Sequence, residues 1–165
     1  MKYQDIITQI DKKIFQPVYF LIGEEPYYID KICDYISNNI LNTEEKEFNQ
    51  TTLYGKDIDV STIVSESKQF PFGSKYRVVI VKEAQDIRNI DQIETYLNNP
   101  TPSTILVICY KHKKIDKRRS FGKSLSKKTV LFESKKLYEN QIPSWIKIYV
   151  NELGFSIDDK SSRIL

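Results

Sequence analysis

Three short segments composed almost entirely of apolar residues constrain the fold of this chain most strongly. They lie at 18–22 (VYFLI), 76–81 (YRVVIV) and 104–110 (TILVICY), and many of their residues are β-branched. Strands without a polar face are typical of a sheet that is covered on both sides, and all-parallel sheets are nearly always covered in this way. The segments between them contain apolar residues at helical spacing. We therefore expect an α/β fold, with a parallel sheet flanked by helices.

The remaining elements follow from residue periodicity and from turn residues. Pro26 suits the first turn of a helix, and Asp59 is a suitable N-cap for a helix that is stopped by Pro71 and Gly73. The other predicted elements are helices at 3–13, 26–40, 91–97 and 144–153, and strands at 48–54 and 129–133.

The chain is predicted to contain one domain and the start of another. The first domain would occupy residues 1–140, and residues 141–165 would begin a second, helical one. A new helix-like start follows Asp158, and the sequence stops within its first turns. We therefore expect this sequence to be a piece of a longer protein.

Composition excludes several classes of protein. The 165 residues are 40% hydrophobic and 28% charged, which suits a packed domain rather than a disordered chain. No run of about 18 apolar residues is present, so no transmembrane helix is expected. Cys33, Cys109 and His112 are too few for a structural zinc site, and both thiols are expected to be free. The N-terminus lacks an apolar signal segment, so we expect a cytoplasmic protein. We also expect no metal and no cofactor.

The turn after the first predicted strand is the place where P-loop proteins bind phosphate. Their pattern, G-x-x-x-x-G-K-S/T, would begin at Gly23. Tyr28 then stands at the second glycine, Ile29 at the lysine and Asp30 at the serine or threonine. A tyrosine keeps the backbone away from a phosphate, and nearby carboxylates repel it. We predict a degenerate nucleotide site and no catalytic, cofactor-binding or metal-binding residues.

Positive charge is concentrated in one segment. Residues 111–128 (KHKKIDKRRSFGKSLSKK) hold nine Lys or Arg and one acid, whereas the whole chain has a net charge of only +3. Contact with nucleic acid is therefore expected here first. The alternative is a solvated helix or loop that keeps the protein soluble, and the residues alone do not decide between the two.

The segment 69–73 (QFPFG) places two aromatic rings and a proline in a turn between a predicted helix and a buried strand. Such a turn normally lies at the surface, where an exposed aromatic pair would be a good anchor for another protein. The alternative is an apolar contact in which the rings fold back onto the core. From the residues alone, this alternative is favoured.

Four stretches, taken together and in order, resemble the delta subunit of the bacterial DNA polymerase III clamp loader. They are YFLIGEEPYYIDKI, SESKQFPFGSKYRVVIVKEAQDI, KKIDKRRSFGKSLSKK and FESKKLYENQIPSWI, and they cover most of the chain. Within the second stretch, residues 68–85 (KQFPFGSKYRVVIVKEAQ) are especially similar to delta subunits of Bacteroidetes-like bacteria. The resemblance implies an AAA+ domain over residues 1–140 and the beginning of a small helical lid domain over 141–165. The rest of the lid and a helical collar domain would follow.

The resemblance also implies a function. The family subunit does not hydrolyse ATP and belongs to a DNA-directed DNA polymerase holoenzyme, where it binds the sliding clamp (beta subunit) and favours its opening. An apolar wedge does this in the family, and by position it falls on Phe70, Pro71 and Phe72. Many relatives carry Leu-Phe or Met-Phe at this point, so Pro71 departs from the pattern. Other implied partners are the delta prime and gamma/tau subunits and primer–template DNA.

The basic segment acquires a second expected role from the same resemblance. In a loaded complex the AAA+ layer surrounds DNA, so contacts to phosphates or to a neighbouring subunit are expected from Lys117, Arg118, Arg119 and Lys123.

Two alternatives remain from the sequence. The first is an active or degenerate nucleotide-binding ATPase of the P-loop type. The second is a general nucleic-acid-binding domain, which the modest net charge of +3 does not favour.

Overall fold

The three apolar segments form the centre of a five-stranded parallel sheet in the computed structural model, which describes residues 1–164. The strands are β1 (Val18–Gly23), β2 (Gln50–Tyr54), β3 (Arg77–Lys82), β4 (Thr104–Lys111) and β5 (Val130–Ser134). Their order across the sheet is β2-β3-β4-β1-β5, and each neighbouring pair is parallel.

Helices cover both faces of this sheet. They are α1 (Tyr3–Asp11), α2 (Pro26–Asn39), α3 (Thr43–Asn49), α4 (Val60–Ser67), α5 (Glu94–Asn98), α6 (Ser120–Lys128), α7 (Ile142–Glu152) and α8 (Asp159–Ile164), with 3₁₀ turns at Ala84–Asp86, Ile90–Ile93 and Glu139–Gln141. On β1, Tyr19 and Leu21 join an apolar cluster with α1 and α2, whereas Phe20 joins a second cluster with α4, α5 and α6. Because each strand face meets its own helical layer, β1 has no polar face. The predicted parallel sheet flanked by helices is confirmed.

The largest difference from the predicted elements concerns the strand expected at 48–54. Residues Thr43–Asn49 form α3 instead, and β2 begins at Gln50. The side chain of Asn42 accepts a hydrogen bond from the Glu45 N–H (2.8 Å), and the Glu45 carboxylate accepts one from the Asn42 N–H (3.0 Å). This reciprocal capping box supports a helix that is short and almost entirely polar, so apolar periodicity gave no sign of it.

The basic segment 111–128 is divided between three structures. It begins with the last residue of β4, continues as an irregular stretch and ends as α6. The buried side of α6 is formed by Gly122, Ser124 and Leu125, which leaves its lysines on the solvent side.

Two compact units make up the chain, Met1–Ser134 and Lys135–Leu165. The first contains the whole sheet and helices α1 to α6. The second contains α7 and α8, and within α7 the rings of Trp145 and Tyr149 stack with their centroids 5.3 Å apart. Within residues 1–164, every helix is too short or too polar to cross a bilayer.

Candidate functional site

Two of the regions singled out by the sequence, the turn after Gly23 and the loop 68–76, lie at opposite ends of the parallel strands. Because all five strands are parallel, their carboxyl ends lie on one side of the sheet, the carboxyl edge, and their amino ends lie on the opposite side, the amino edge. Open α/β sheets usually bind ligands at the carboxyl ends of their strands. The turn after Gly23 and the residues Glu83 and Lys111 belong to this carboxyl edge. The loop 68–76 precedes β3 and therefore belongs to the amino edge.

At the carboxyl edge, the first turn of α2 is occupied by the chain itself. Glu25 is the N-cap, and its carboxylate accepts a hydrogen bond from the Tyr27 N–H (3.2 Å). Pro26 at the first helical position has no N–H to offer. The helix N-terminus, which binds phosphate in P-loop proteins, here faces a carboxylate of its own chain.

An ion cluster involving Asp30 of α2 lies at the same edge. The ammonium of Lys111 lies 2.7 Å from Asp30 Oδ1 and 3.3 Å from Glu83 Oε1. Burial opposes the charge on Lys111, but hydrogen bonding to Asp30, with the charges of Asp30 and Glu83, outweighs it and raises the pKa of the ammonium. Hydrogen bonds from Gln85 and from Lys111 lower the pKa of Glu83. One ammonium of the chain thus pairs with both carboxylates and offsets one of their two negative charges.

The loop at the amino edge carries the predicted clamp-binding residues. Phe70 is 84% exposed and Phe72 is 74% exposed, while Pro71 is partly buried. The rings do not fold back onto the core, which corrects the alternative favoured from the residues alone. Gly73 has a φ of +63°, a left-handed conformation that suits glycine and turns the chain toward β3.

The backbone of Phe72 is held by a buried side chain from α3. Asn49 is fully buried, and its Oδ1 accepts a hydrogen bond from the Phe72 N–H (2.6 Å). Its Nδ2 donates to the Phe72 carbonyl (2.9 Å) and to the Glu45 carbonyl (3.0 Å). The neighbouring Phe48 packs its ring against that of Phe72, with centroids 5.8 Å apart. An exposed ring is therefore mounted on a fixed backbone.

Arg77, the first residue of β3, connects the elements that flank this loop. Its Nη2 lies 2.5 Å from Glu66 Oε2 and its Nε donates to the Glu66 carbonyl (3.1 Å), both at the end of α4. Nη1 donates to the Phe48 carbonyl at the end of α3 (3.3 Å), and Nη2 to Thr51 Oγ1 in β2 (3.1 Å). One buried guanidinium thus fastens α3, α4 and β2 at the base of the loop.

Sequence reasoning missed Phe48, Asn49 and Arg77. The strand predicted at 48–54 includes both Phe48 and Asn49, and neither is predicted as a site residue. Arg77 is a charged residue in an otherwise apolar predicted strand, and buried arginines are normally paired. The sequence pattern could therefore have indicated that Arg77 forms a buried ion pair.

The four residues predicted to contact DNA or a subunit are only partly brought together. Lys117 pairs with Glu133 (2.5 Å), and Arg118 pairs with Asp116 (3.1 Å). The Arg118 guanidinium holds the pKa of the Asp116 carboxyl below its usual range. Lys117 therefore already has a partner, although half of its side chain remains exposed.

Arg119 and Lys123 share one side of α6. Arg119 is the N-cap and Lys123 lies four residues later, which places both on the same helix face. Both are exposed, and within residues 1–164 the ammonium of Lys123 has no hydrogen bond or ion pair. With Arg118, these residues form a small basic surface at the start of α6.

Comparison with known proteins gives one matching family model, "DNA polymerase III, delta subunit", which matches residues 19–135. A curated relative, DNA polymerase III subunit delta of Bacillus subtilis, is 27% identical over 143 residues, covering 81% of this chain and 41% of that protein.

Solved structures show a similar fold. The Bacillus subtilis DNA clamp loader delta protein superimposes with a TM-score of 0.78 at 22% identity, over 98% of this chain and 51% of that one. A DNA polymerase III gamma subunit-related protein of Thermotoga maritima gives a TM-score of 0.57 at 13% identity, over 93% of this chain and 51% of that one. The chain spans about half the length of these relatives.

Proposed function

Because this chain belongs to the family of DNA polymerase III delta subunits, we propose that it binds the sliding clamp within a clamp loader and helps to open it for loading onto primed DNA. The observation that carries this proposal is the loop at the amino edge, whose two phenylalanine rings are exposed on a backbone held by a buried asparagine. Phe70, Pro71 and Phe72 are the proposed clamp-binding residues, with Phe72 as the main anchor. Exposed aromatic rings in a fixed position are typical interface anchors.

The proposal includes the partners of a loader. They are the sliding clamp, the delta prime and gamma/tau subunits, and primer–template DNA. The proposed location of the protein is the cytoplasm, with no membrane among its partners. Residues 1–140 would be the AAA+ domain and 141–165 the start of the lid domain, in a longer protein. A Bacteroidetes-like origin is supported by the resemblance of residues 68–85 alone.

The mechanism is differential binding. An apolar anchor opens a ring only if it binds the open or strained clamp more tightly than the closed one. Burying two phenylalanine side chains contributes about 3–6 kcal/mol. If all of that energy were specific to the open clamp, it would shift the equilibrium by about two to four orders of magnitude, which biases a strained interface but does not break a large one.

A calorimetric titration of this chain with the cognate sliding clamp tests the proposal. Saturable binding that depends on the loop 68–76 supports it. Absence of binding at clamp concentrations well above the micromolar range contradicts it.

No nucleotide is expected to take part in the action of this subunit. The carboxylate of Glu25 caps α2, and Lys111 pairs with Asp30 and Glu83 where a nucleotide and its magnesium would lie in a P-loop enzyme. We therefore expect the melting temperature to stay within about 1 °C of its starting value when millimolar ATP and magnesium are added, since a bound ligand would raise it by several degrees. A saturable rise measured by differential scanning fluorimetry would favour the ATPase alternative.

The basic surface at the start of α6 is proposed to contact DNA phosphates without reading bases. Replacing Lys117, Arg118, Arg119 and Lys123 by glutamine is expected to reduce the salt slope of DNA binding by the assembled loader by about 0.7–0.9 for each lost contact. Lys12→Gln/Lys13→Gln, which removes exposed charges before β1, is the control and should leave the slope unchanged. An unchanged slope in the fourfold variant would instead favour a subunit contact or a role in solubility.

A further inference from the structure

The end of α3 lies beside the proposed clamp-binding loop, although the two are more than twenty residues apart in sequence. We propose that Phe48 and Asn49 form the second half of the clamp-docking surface, with Phe48 touching the sliding clamp and Asn49 positioning Phe72. This inference rests on the proposed function, because it takes the occupant of the surface to be the clamp.

Phe48 has the exposure of a binding residue rather than of a core residue. It is 63% exposed, and its ring tilts 56° against that of Phe72 at a centroid distance of 5.8 Å. Two rings this close form one continuous apolar surface. A partner that buries Phe72 must therefore also cover or contact Phe48, which commits both rings to the same occupant.

The rest of α3 supports this assignment. Its sequence is TEEKEFN, so Phe48 is the one apolar side chain in a helix of polar residues. Its backbone carbonyl accepts the Arg77 hydrogen bond, and that function does not depend on the aromatic ring. The ring is thus available for an interface while the backbone anchors the helix.

Asn49 uses its side-chain amide to fix the loop. Three hydrogen bonds connect it to Phe72 N–H, the Phe72 carbonyl and the Glu45 carbonyl. The arrangement needs both an acceptor and a donor, and asparagine supplies them while aspartate would direct an oxygen at two carbonyl oxygens. Holding Phe72 before binding reduces the conformational entropy that the complex would otherwise lose.

The contribution of Phe48 is tested by clamp affinity. Phe48→Ala is expected to weaken binding of this chain to the cognate clamp by about tenfold, because the variant loses an aromatic ring that contacts the clamp. Tyr54→Ala is the matched control, because Tyr54 is 50% exposed and is the last residue of β2, at the carboxyl edge of the sheet. Its loss should change affinity by less than about twofold.

The outcomes of this titration separate the two proposals. If Phe72→Ala weakens binding but Phe48→Ala stays within about twofold of the parent chain, this inference fails and the proposed function stands. If neither variant weakens binding, the wedge assignment fails together with this inference, and if the parent chain does not bind the clamp at all, the proposed function itself fails.

The positioning role of Asn49 is tested by a double-mutant cycle. Asn49→Ala is expected to weaken clamp binding about fivefold, and much less in a Phe72→Leu background, because its effect passes through the ring. Asn49→Asp keeps the acceptor and loses both hydrogen bonds that the amide donates, so it should bind the clamp more weakly than the parent chain, as Asn49→Ala does. Hydrogen exchange at the Phe72 amide should quicken in Asn49→Ala.

Two results would overturn the role of Asn49. One is an equal loss of affinity in both backgrounds, which would indicate a general structural effect. The other is an unchanged affinity in Asn49→Ala when thermal melting shows that the variant is folded.

Discussion

Replacing Phe72 by alanine is expected to weaken binding to the cognate sliding clamp by about 100-fold or more without lowering the melting temperature. The ring is 74% exposed in the free chain, so its removal takes little from the core. In the complex it would enter a pocket, where burial of a phenylalanine contributes roughly 1.5–3 kcal/mol and the loss of a central anchor often costs more. Isothermal titration calorimetry and thermal melting measure the two quantities separately.

Two further variants make this experiment specific. Phe70→Ala should weaken binding less than Phe72→Ala, because the Phe72 backbone is held by Asn49 whereas Phe70 lies in the open part of the loop. Tyr54→Ala again controls for the loss of an exposed ring elsewhere on the same unit. The wedge assignment is contradicted if Phe72→Ala binds the clamp as tightly as the parent chain.

The fold could be predicted because its central strands have unambiguous composition. The runs at 76–81 and 104–110 have no polar face, so they required helices on both sides, and the structure buries them between two apolar clusters. The absence of a P-loop was also visible, since Tyr28 and Asp30 occupy positions that need glycine and a hydroxyl. These features are local, and local patterns are what a sequence displays.

The support of the loop could not be predicted, because it consists of contacts between distant residues. Asn49 and Phe72 are 23 positions apart, and Arg77 and Phe48 are 29 apart. The exposure of the two loop rings was likewise undecided, since a turn of this composition also suits a contact with the core. In the structure both rings are exposed, and Asn49 at the end of α3 holds the backbone of Phe72.

Arg77 provides the largest expected effect on stability. Arg77→Ala is expected to lower the free energy of unfolding by about 3 kcal/mol, because it removes a buried ion pair to Glu66 and leaves the Phe48 carbonyl without its donor. For a domain of this size, that corresponds to a melting temperature lower by roughly 6–12 °C. Urea unfolding followed by circular dichroism would measure the change.

Arg88→Ala is the matched control for this experiment, since Arg88 is exposed and the chemical change is the same. It should alter the unfolding free energy by less than about 0.5 kcal/mol. Arg77→Lys should fall between the parent chain and Arg77→Ala, because an ammonium can pair with Glu66 but cannot reach α3, α4 and β2 at once. An unfolding free energy for Arg77→Ala equal to that of the parent chain would show that the guanidinium does not brace the loop. Because the same side chain fastens both flanks of the loop, the folded fraction of Arg77→Ala should also bind the clamp more weakly than the parent.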